Sequence, residues 1–206
     1  YLNNMYWGIQ KTLLYAYFVL CILSCNNKHI VDFDFKNKAQ EAFEFCKNNG
    51  LDTNTAILVN FALPTGKNRL VVWDFKQQKI IFSSLVAEGK CIDNQNFSNQ
   101  PNSNCSALGH YIIGRKTHSQ WGEGYSFKLH GLDSSNYLAY YRFIVLHSAD
   151  YVPEEEIYPK DIPNSSGCPT VAHPTLNQLK SYISAKKPML MWFLFEPNIK
   201  IFKCIN

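Results

Sequence analysis

The alternation of apolar and polar positions along this chain predicts strands more often than helices. Residues 56–61 form a short apolar run, and residues 69–75 and 79–86 predict a hairpin that turns at 76–78. Between positions 70 and 73 both the even and the odd residues are apolar, so both faces of that strand are expected to be buried. This pattern is typical of the core of a β-sandwich.

The remaining pattern adds strands and two candidate helices. Helical spacing predicts a helix over 36–49 that ends at Gly50, and Pro174 stands at a favoured first position of a second helix. We therefore expect a mainly β protein, a mixed β-sheet sandwich with one or two flanking helices. No internal repeat or second domain is visible. Further strands are predicted at 111–113, 125–129, 137–146 and 188–195.

The N-terminal stretch has the order of an export signal. Lys11 precedes an apolar run over 13–23, which at eleven residues is shorter than the roughly 20 residues that a membrane-spanning helix needs. The run ends in Ile-Leu-Ser-Cys, which resembles a bacterial lipobox with Cys25 as the lipidated residue. The alternative is a plain signal peptide with an incidental cysteine. We predict a lipoprotein signal peptide over 1–24, a tether over 25–35 and one domain over the rest of the chain, 36–206. The protein would be exported and anchored in the periplasm.

Composition supports a packed globule and argues against nucleic acid. Charged residues make up 17% of the chain and aromatic residues 15%, which favours a β-rich core over disorder. The formal net charge is +4, and it falls to +3 without Lys11 of the leader. That charge is too small to indicate nucleic-acid binding, although it would suit an anionic polymer such as a cell wall.

The candidate chemistry centres on the motif Ser-Ser-Gly-Cys-Pro at 165–169, with His147 placed 21 residues before Cys168. A thiolate attacks carbonyl carbon well, and it needs a base or a lowered pKa to form. Gly167 permits a tight turn close to a bound carbonyl. We expect the N–H groups of Gly167 and Cys168 to face a developing oxyanion, with His147 as the base.

Several stretches together resemble one known family. The chain is similar to the catalytic core of L,D-transpeptidases of the YkuD-like family, in the murein branch whose motif contains Gly-Cys-Pro. Those enzymes remodel bacterial peptidoglycan, and the resemblance extends over roughly residues 55–196, which is the size of a domain. The stretches that carry it are 98–104, 107–109, 126–132, 144–151 and 165–171.

The resemblance implies roles for individual residues. Cys168 would be the nucleophile and His147 the general base, while the backbone carbonyl of Ser148 would hold the other ring nitrogen. No acidic third member is required, so Asp150 is interpreted as structural. The chain departs from the commonest family pattern at Ser166, where many members have a second histidine, and also just after the nucleophile.

Candidate substrate contacts follow from the same motifs. Their alternative interpretation is surface polarity or loop capping. The candidates are Asn104, Ser166, His130 and Arg142, with Arg115 as a further possibility.

Four cysteines outside the motif and the leader, Cys46, Cys91, Cys105 and Cys204, leave their pairing open. In an exported protein some are expected to form disulfides, and Cys91 and Cys105 flank an Asn-rich loop that they would staple. A rival metal site would add His110 and His118 to that pair. These spacings fit no strong zinc pattern, so no metal is expected.

The function implied by the resemblance is peptidoglycan L,D-transpeptidation through a thioacyl-enzyme on stem peptides, with release of D-Ala and no cofactor. A monomer that binds peptidoglycan and the membrane, but no nucleic acid, is expected. Three alternatives remain open. Water as the acceptor would make the protein an L,D-carboxypeptidase, a lost activity would leave a wall-binding lipoprotein, and an unrelated cysteine peptidase would share only the Cys and His.

Overall fold

Eight strands and two helices make up the regular structure in the described part of the chain. A computed structural model describes residues 33–93, 96–120, 122–183 and 186–197. In chain order the elements are α1 (Lys36–Asn48), β1 (Thr55–Asn60), β2 (Leu70–Asp74), β3 (Lys79–Ser84), β4 (Gly109–His118), β5 (Tyr125–Gly131), β6 (Val145–Ser148), β7 (Thr170–Val171), α2 (His173–Tyr182) and β8 (Met189–Leu194).

The predicted leader (1–24), its lipidation site Cys25 and Cys204 lie outside the described residues, as does most of the tether. The leader, the lipidation site and the tether therefore stay predictions from the sequence. No helix in the ranges described is long and apolar enough to cross a lipid bilayer.

The strands form one mixed sheet in the order β3-β2-β1-β8-β4-β5-β6-β7. β1 and β8 are parallel, as are β6 and β7, and the other neighbours are antiparallel. A bridge between Ala87, which follows β3, and Thr170 of β7 brings the two ends of this order together. The predicted mainly β, mixed fold with two helices is confirmed, as a single sheet that curls almost onto itself.

Both faces of β1 are apolar because each face packs against another layer of the protein. Ile57 and Val59 belong to the inner core, whereas Ala56 and Leu58 pack on the opposite face with helix α1. Side chains of successive strand residues point to opposite faces, so a strand covered on both sides needs apolar residues at every position. The helix supplies the second layer that the apolar run required.

Helix α1 ends close to the predicted position. Gly50 has a φ of +67°, the left-handed conformation that commonly follows a helix and that glycine adopts without strain. The inner core is completed by helix α2, through Leu176 and Leu179.

The strand predicted over 137–146 is wrong over 137–144. Residues 137–143 form turns, with backbone bonds from Arg142 N–H to Leu138 O and from Ile144 N–H to Ala139 O, and β6 begins only at Val145. Aromatic residues favour strands, but Tyr141 and Phe143 are exposed by 74% and 77% here and do not belong to the core.

A buried arginine fixes the entry into the long polar loop. Arg69 is fully buried, and its Nε and Nη2 donate to the carbonyl of Val86 at 3.0 and 2.9 Å. Its Nη1 also pairs with Glu88 at 3.1 Å. A buried guanidinium must have its donors satisfied. Because its acceptors lie on Val86 and Glu88, Arg69 holds the start of β2 against the segment that follows β3.

Core burial is testable with two isoleucines on strands. Ile57 is fully buried and Ile80 is 43% exposed. We expect Ile57→Ala to lower the free energy of unfolding by about 2–5 kcal/mol, because it removes buried methyl groups and leaves a cavity. Ile80→Ala should cost about 1 kcal/mol or less. Urea unfolding of both variants checks this, and equal losses would contradict the assigned core.

Candidate active site

The turn that carries Cys168 is shaped by Ser165 and Gly167. Ser165 Oγ donates to the carbonyl of Cys168 at 2.6 Å and accepts from the N–H of Gly167 at 3.2 Å. Gly167 has a φ of +112°, and a Cβ there would lie 3.0 Å from the carbonyl oxygen of Cys105. Only glycine combines that backbone angle with so close an approach.

The same geometry corrects one expectation about oxyanion binding. The N–H of Gly167 is already bonded to Ser165 Oγ, so it does not face a substrate carbonyl. Within the described residues, no acceptor is recorded for the N–H of Cys168. Gly167 thus contributes the shape of the turn, and the N–H of Cys168 is the donor that remains available for an oxyanion.

The Cys168 thiol is free and partly exposed. Its Sγ accepts a hydrogen bond from Val145 N–H at 3.5 Å and lies 3.9 Å from the carbonyl oxygen of Phe143. Burial raises the pKa of the thiol above its ordinary value, while the Val145 N–H and the charges of Lys128 and Arg142 act in the opposite direction. The resting sulfur is therefore a protonated thiol that needs a base.

His147 is oriented as a neutral imidazole. Its Nδ1 lies 3.1 Å from the carbonyl oxygen of Ser148, which is the partner that the family resemblance implied. A carbonyl can only accept, so Nδ1 carries the proton and Nε2 presents its lone pair. Burial lowers the pKa of His147, which keeps the ring neutral near pH 7. The Nε2 atom lies 3.0 Å from Thr170 Oγ1, which can donate to it.

The two candidate catalytic side chains lie on neighbouring segments but do not bond directly. His147 of β6 is paired with Thr170 of β7, and Cys168 lies two residues before Thr170. No hydrogen bond joins Cys168 Sγ to the His147 ring in the part of the chain described. The Thr170 hydroxyl, and not the expected Cys168 thiol, is the hydrogen-bond partner of His147 Nε2. The sequence motif did not indicate this contact.

Behind His147 lies a hydrogen-bond network that sequence reasoning missed. The Ser148 hydroxyl is buried, accepts from Glu123 N–H at 3.2 Å and lies 3.1 Å from His173 Nδ1. His173 Nε2 in turn bonds Asp150 at 2.7 Å. Asp150 thus contacts His173 rather than His147, which agrees with its interpretation as structural. The position of His173 at the start of α2, just after the nucleophile turn, was the available clue.

Arg142 holds a loop, and its role as a substrate contact stays a prediction. Its Nη1 donates to Ser98 O at 2.9 Å, and its Nη2 donates to Cys105 O at 2.6 Å and to Ser103 Oγ at 3.4 Å. These bonds occupy both terminal nitrogens of the guanidinium. Arg142 therefore fixes the Asn-rich loop beside Cys168, and its charge acts on the thiol from a distance.

The same loop is closed by a disulfide between Cys91 and Cys105. This is one of the pairings that the sequence left open, and Cys46 is a free buried thiol. A disulfide that closes a loop of about this length contributes roughly 3 kcal/mol of stability. The rival metal site is not assembled, because its two sulfurs are bonded to each other and His110 pairs with Asp133 at 2.9 Å.

The predicted substrate-contact residues line two different cavities. A small cavity of about 220 Å³ is lined by Asn104, Arg142, Phe143 and Ser166. A larger groove of about 890 Å³ contains His130, whose ring stacks on Tyr140 with centroids 5.1 Å apart. Of the predicted substrate residues, the structure therefore brings Asn104, Ser166 and Arg142 together, and it places His130 in a different cavity.

Comparison with known protein families identifies one kind of domain. A family profile described as "L,D-transpeptidase catalytic domain" matches residues 27–192, which is more than half of the chain. No curated protein matches the sequence significantly.

The solved structures that match the chain have low sequence identity to it. It is similar to the helical cell shape determining protein Pgp2 of Campylobacter jejuni, with 17% identity and a TM-score of 0.47 over 75% of this chain and 56% of that chain. Bd1075 of Bdellovibrio bacteriovorus shows 17% identity and a TM-score of 0.45 over 72% and 50%. An Enterococcus faecium L,D-transpeptidase shows 12% identity and a TM-score of 0.43 over 68% and 50%. The chain spans about half the length of these proteins.

The effect of the Lys128 charge on the pKa of the Cys168 thiol can be measured by alkylation. Lys128→Met should move the pH midpoint of Cys168 alkylation by iodoacetamide upward, because a cation that stabilises the thiolate is lost. Peptide mass analysis separates this signal from Cys46, where burial raises the thiol pKa to about 12. Lys160→Met, an exposed lysine elsewhere, is the matched control. An unchanged midpoint in Lys128→Met would refute the assigned interaction.

Proposed function

The chain belongs to the family of L,D-transpeptidase catalytic domains, and on that premise we propose that it forms peptidoglycan cross-links through a thioacyl intermediate on Cys168. The observation that carries this proposal is a free, partly exposed thiol in a glycine turn, beside a strand whose imidazole has Nδ1 fixed by Ser148 O. Such an imidazole keeps the lone pair of Nε2 for a proton.

The first step requires a change of partner at His147. The Thr170 hydroxyl has a second acceptor in the carbonyl of Cys168, 3.3 Å away, so rotation of that hydroxyl releases Nε2. His147 then takes the thiol proton. The pKa of the base is lowered and that of the thiol is raised, so this transfer is uphill at rest and is favoured when the thiolate is consumed by attack.

The thiolate attacks the carbonyl that joins the L-centre of a diamino acid to the terminal D-Ala of a stem peptide. The N–H of Cys168 donates to the oxyanion, and the nearby charges of Lys128 and Arg142 stabilise it. The C–N bond breaks, and His147 gives its proton to the leaving amino group of D-Ala. An amine of a second stem peptide then attacks the thioester, which restores the thiol and forms the cross-link.

The alternatives differ in what attacks the thioester, if one forms. Attack by water would give an L,D-carboxypeptidase, and an inactive site would leave a wall-binding protein. The family match removes the unrelated cysteine peptidase from consideration. Export and attachment to a membrane through Cys25 remain part of the proposal and rest on the sequence of the leader.

Digestion of purified muropeptides separates these functions. We expect the protein to release D-Ala and to join two stem peptides, as identified by the mass of the product. Cys168→Ala should lose both activities and also its covalent adduct with a carbapenem, whereas Cys46→Ala, which removes the other free thiol, should keep them. Release with water alone would support trimming, and no release by the unmodified protein would refute an enzymatic role.

The base is tested by His147→Gln. Loss of a positioned proton acceptor should lower kcat for D-Ala release by roughly 10²–10⁴-fold. His118→Gln, at an exposed position of β4, is the matched control and should change kcat less than twofold. Thermal unfolding of both variants checks that the fold is retained. A decrease of less than tenfold in His147→Gln would mean that another group accepts the proton.

A further inference from the structure

The carbonyl that orients His147 belongs to a residue at the end of a short strand pair. Ser148 is the last residue of β6, and β7, which pairs with it, contains only two residues. The N–H of Ala149 donates to the carbonyl of Val171 at 3.0 Å, which fixes one edge of the peptide plane that carries the Ser148 carbonyl. Because this ladder supplies few backbone bonds, the position of the carbonyl also depends on what holds the Ser148 side chain.

The buried side chain of Ser148 is held by the start of α2 and by the turn between β4 and β5. Its hydroxyl lies 3.1 Å from Nδ1 of His173, the first residue of α2, and accepts from the N–H of Glu123 at 3.2 Å. Gly122 has a φ of +61°, and a Cβ there would clash with the carbonyl oxygen of Ser148. The serine is therefore contacted at both its hydroxyl and its carbonyl.

The ring of His173 lies between two carboxylates. Its Nδ1 lies 3.1 Å from Glu123 Oε1, and its Nε2 lies 2.7 Å from Asp150 Oδ1. The Asp150 side chain is fully exposed, so water screens its contact with the ring, whereas the Glu123 side chain is only 32% exposed. The Nδ1 side of the ring, which Glu123 shares with Ser148, is therefore the side that constrains it more strongly.

The carboxylate of Glu123 is itself anchored by two further side chains. Its Oε2 accepts from Nδ2 of Asn177 at 3.0 Å, and Asn177 lies four residues after His173, on the same face of α2. The hydroxyl of Tyr125 donates to Asn177 Oδ1 at 2.7 Å. A continuous series of polar contacts thus extends from β5 through α2 to Ser148, and each contact restricts the orientation of the next.

We propose that His173 is a positioning residue, which holds Ser148 and, through the Ser148 carbonyl, keeps the imidazole of His147 oriented as a base. Its consequence for catalysis rests on the proposed function. Ser148, His173 and Asp150 have the composition of a serine-hydrolase triad, but the Ser148 hydroxyl is buried and cannot reach a substrate. These three residues therefore serve orientation and do not form a second nucleophilic site.

The protonation of His147 reports on this contact. Burial lowers the pKa of His147, and the hydrogen bond from its Nδ1 to the Ser148 carbonyl raises it. If the hold on Ser148 is loosened, that hydrogen bond should weaken, and the pKa of His147 should move still lower. The ring should also turn away from the productive orientation, which lowers the rate.

Two substitutions separate the two sides of the His173 ring. The amide atoms of asparagine are at the δ position and can replace Nδ1, whereas those of glutamine are at the ε position and can replace only Nε2. We expect His173→Gln and Ser148→Ala each to lower kcat for D-Ala release by about tenfold and to move the NMR titration midpoint of His147 to lower pH. His173→Asn should keep that midpoint and most of kcat. His118→Gln, at an exposed position of β4, is the control and should change neither.

A double-variant cycle tests whether the two residues act through one contact. Ser148→Ala combined with His173→Gln should lower kcat about as much as either substitution alone, because both remove the same contact. Independent effects would multiply to about 100-fold and would overturn the inference. An unchanged His147 midpoint in His173→Gln, or equal losses in His173→Gln and His173→Asn, would overturn it as well.

Two features of the design separate this inference from a folding defect and from its premise. Asparagine and glutamine replace the same side chain, and thermal unfolding of both variants checks that they are equally folded. The NMR titration of His147 needs no substrate. If the unmodified protein releases no D-Ala, the proposed function fails, whereas the coupling of His173 to His147 is still decided by the titration midpoint.

Discussion

The hydrogen bond between His147 Nδ1 and the carbonyl of Ser148 is the interaction on which the rest of the site depends. It places the ring proton on Nδ1 and leaves Nε2 able to accept a proton. The carbonyl is held in turn because the Ser148 hydroxyl is buried between Glu123 and His173. A backbone acceptor can replace the carboxylate of a catalytic triad here, since orientation of the ring is what the chemistry requires.

The sheet supplies the second constraint, which is the approach of the candidate nucleophile, Cys168, to this imidazole. The parallel pairing of β6 and β7 places the turn containing Cys168 beside His147, at the point where the sheet curls back toward the end of β3. Gly167 permits that turn to pass close to Cys105, and the disulfide and Arg142 keep the loop there. Loop, turn and strand are therefore linked to one another around the sulfur.

Electrostatics decides how such a sulfur can react. Burial disfavours the thiolate of Cys168, and Lys128 and Arg142 oppose that effect without removing it. Both shifts favour a neutral thiol and a neutral imidazole at rest, and in the proposed mechanism the proton moves when a carbonyl is in place to be attacked.

Much of the fold and the main chemical groups could be predicted from the sequence, because they depend on local patterns. The two-faced apolar strands and the end of α1 near Gly50 follow from neighbours close in the chain. The carbonyl partner of His147 was implied by the family resemblance of the motif around it. Other features depend on which distant segments are paired, and local pattern carries no information about register. Only the tertiary structure placed Thr170 on His147 Nε2, gave Lys128 access to the thiol and turned Arg142 toward a loop about 40 residues earlier in the chain.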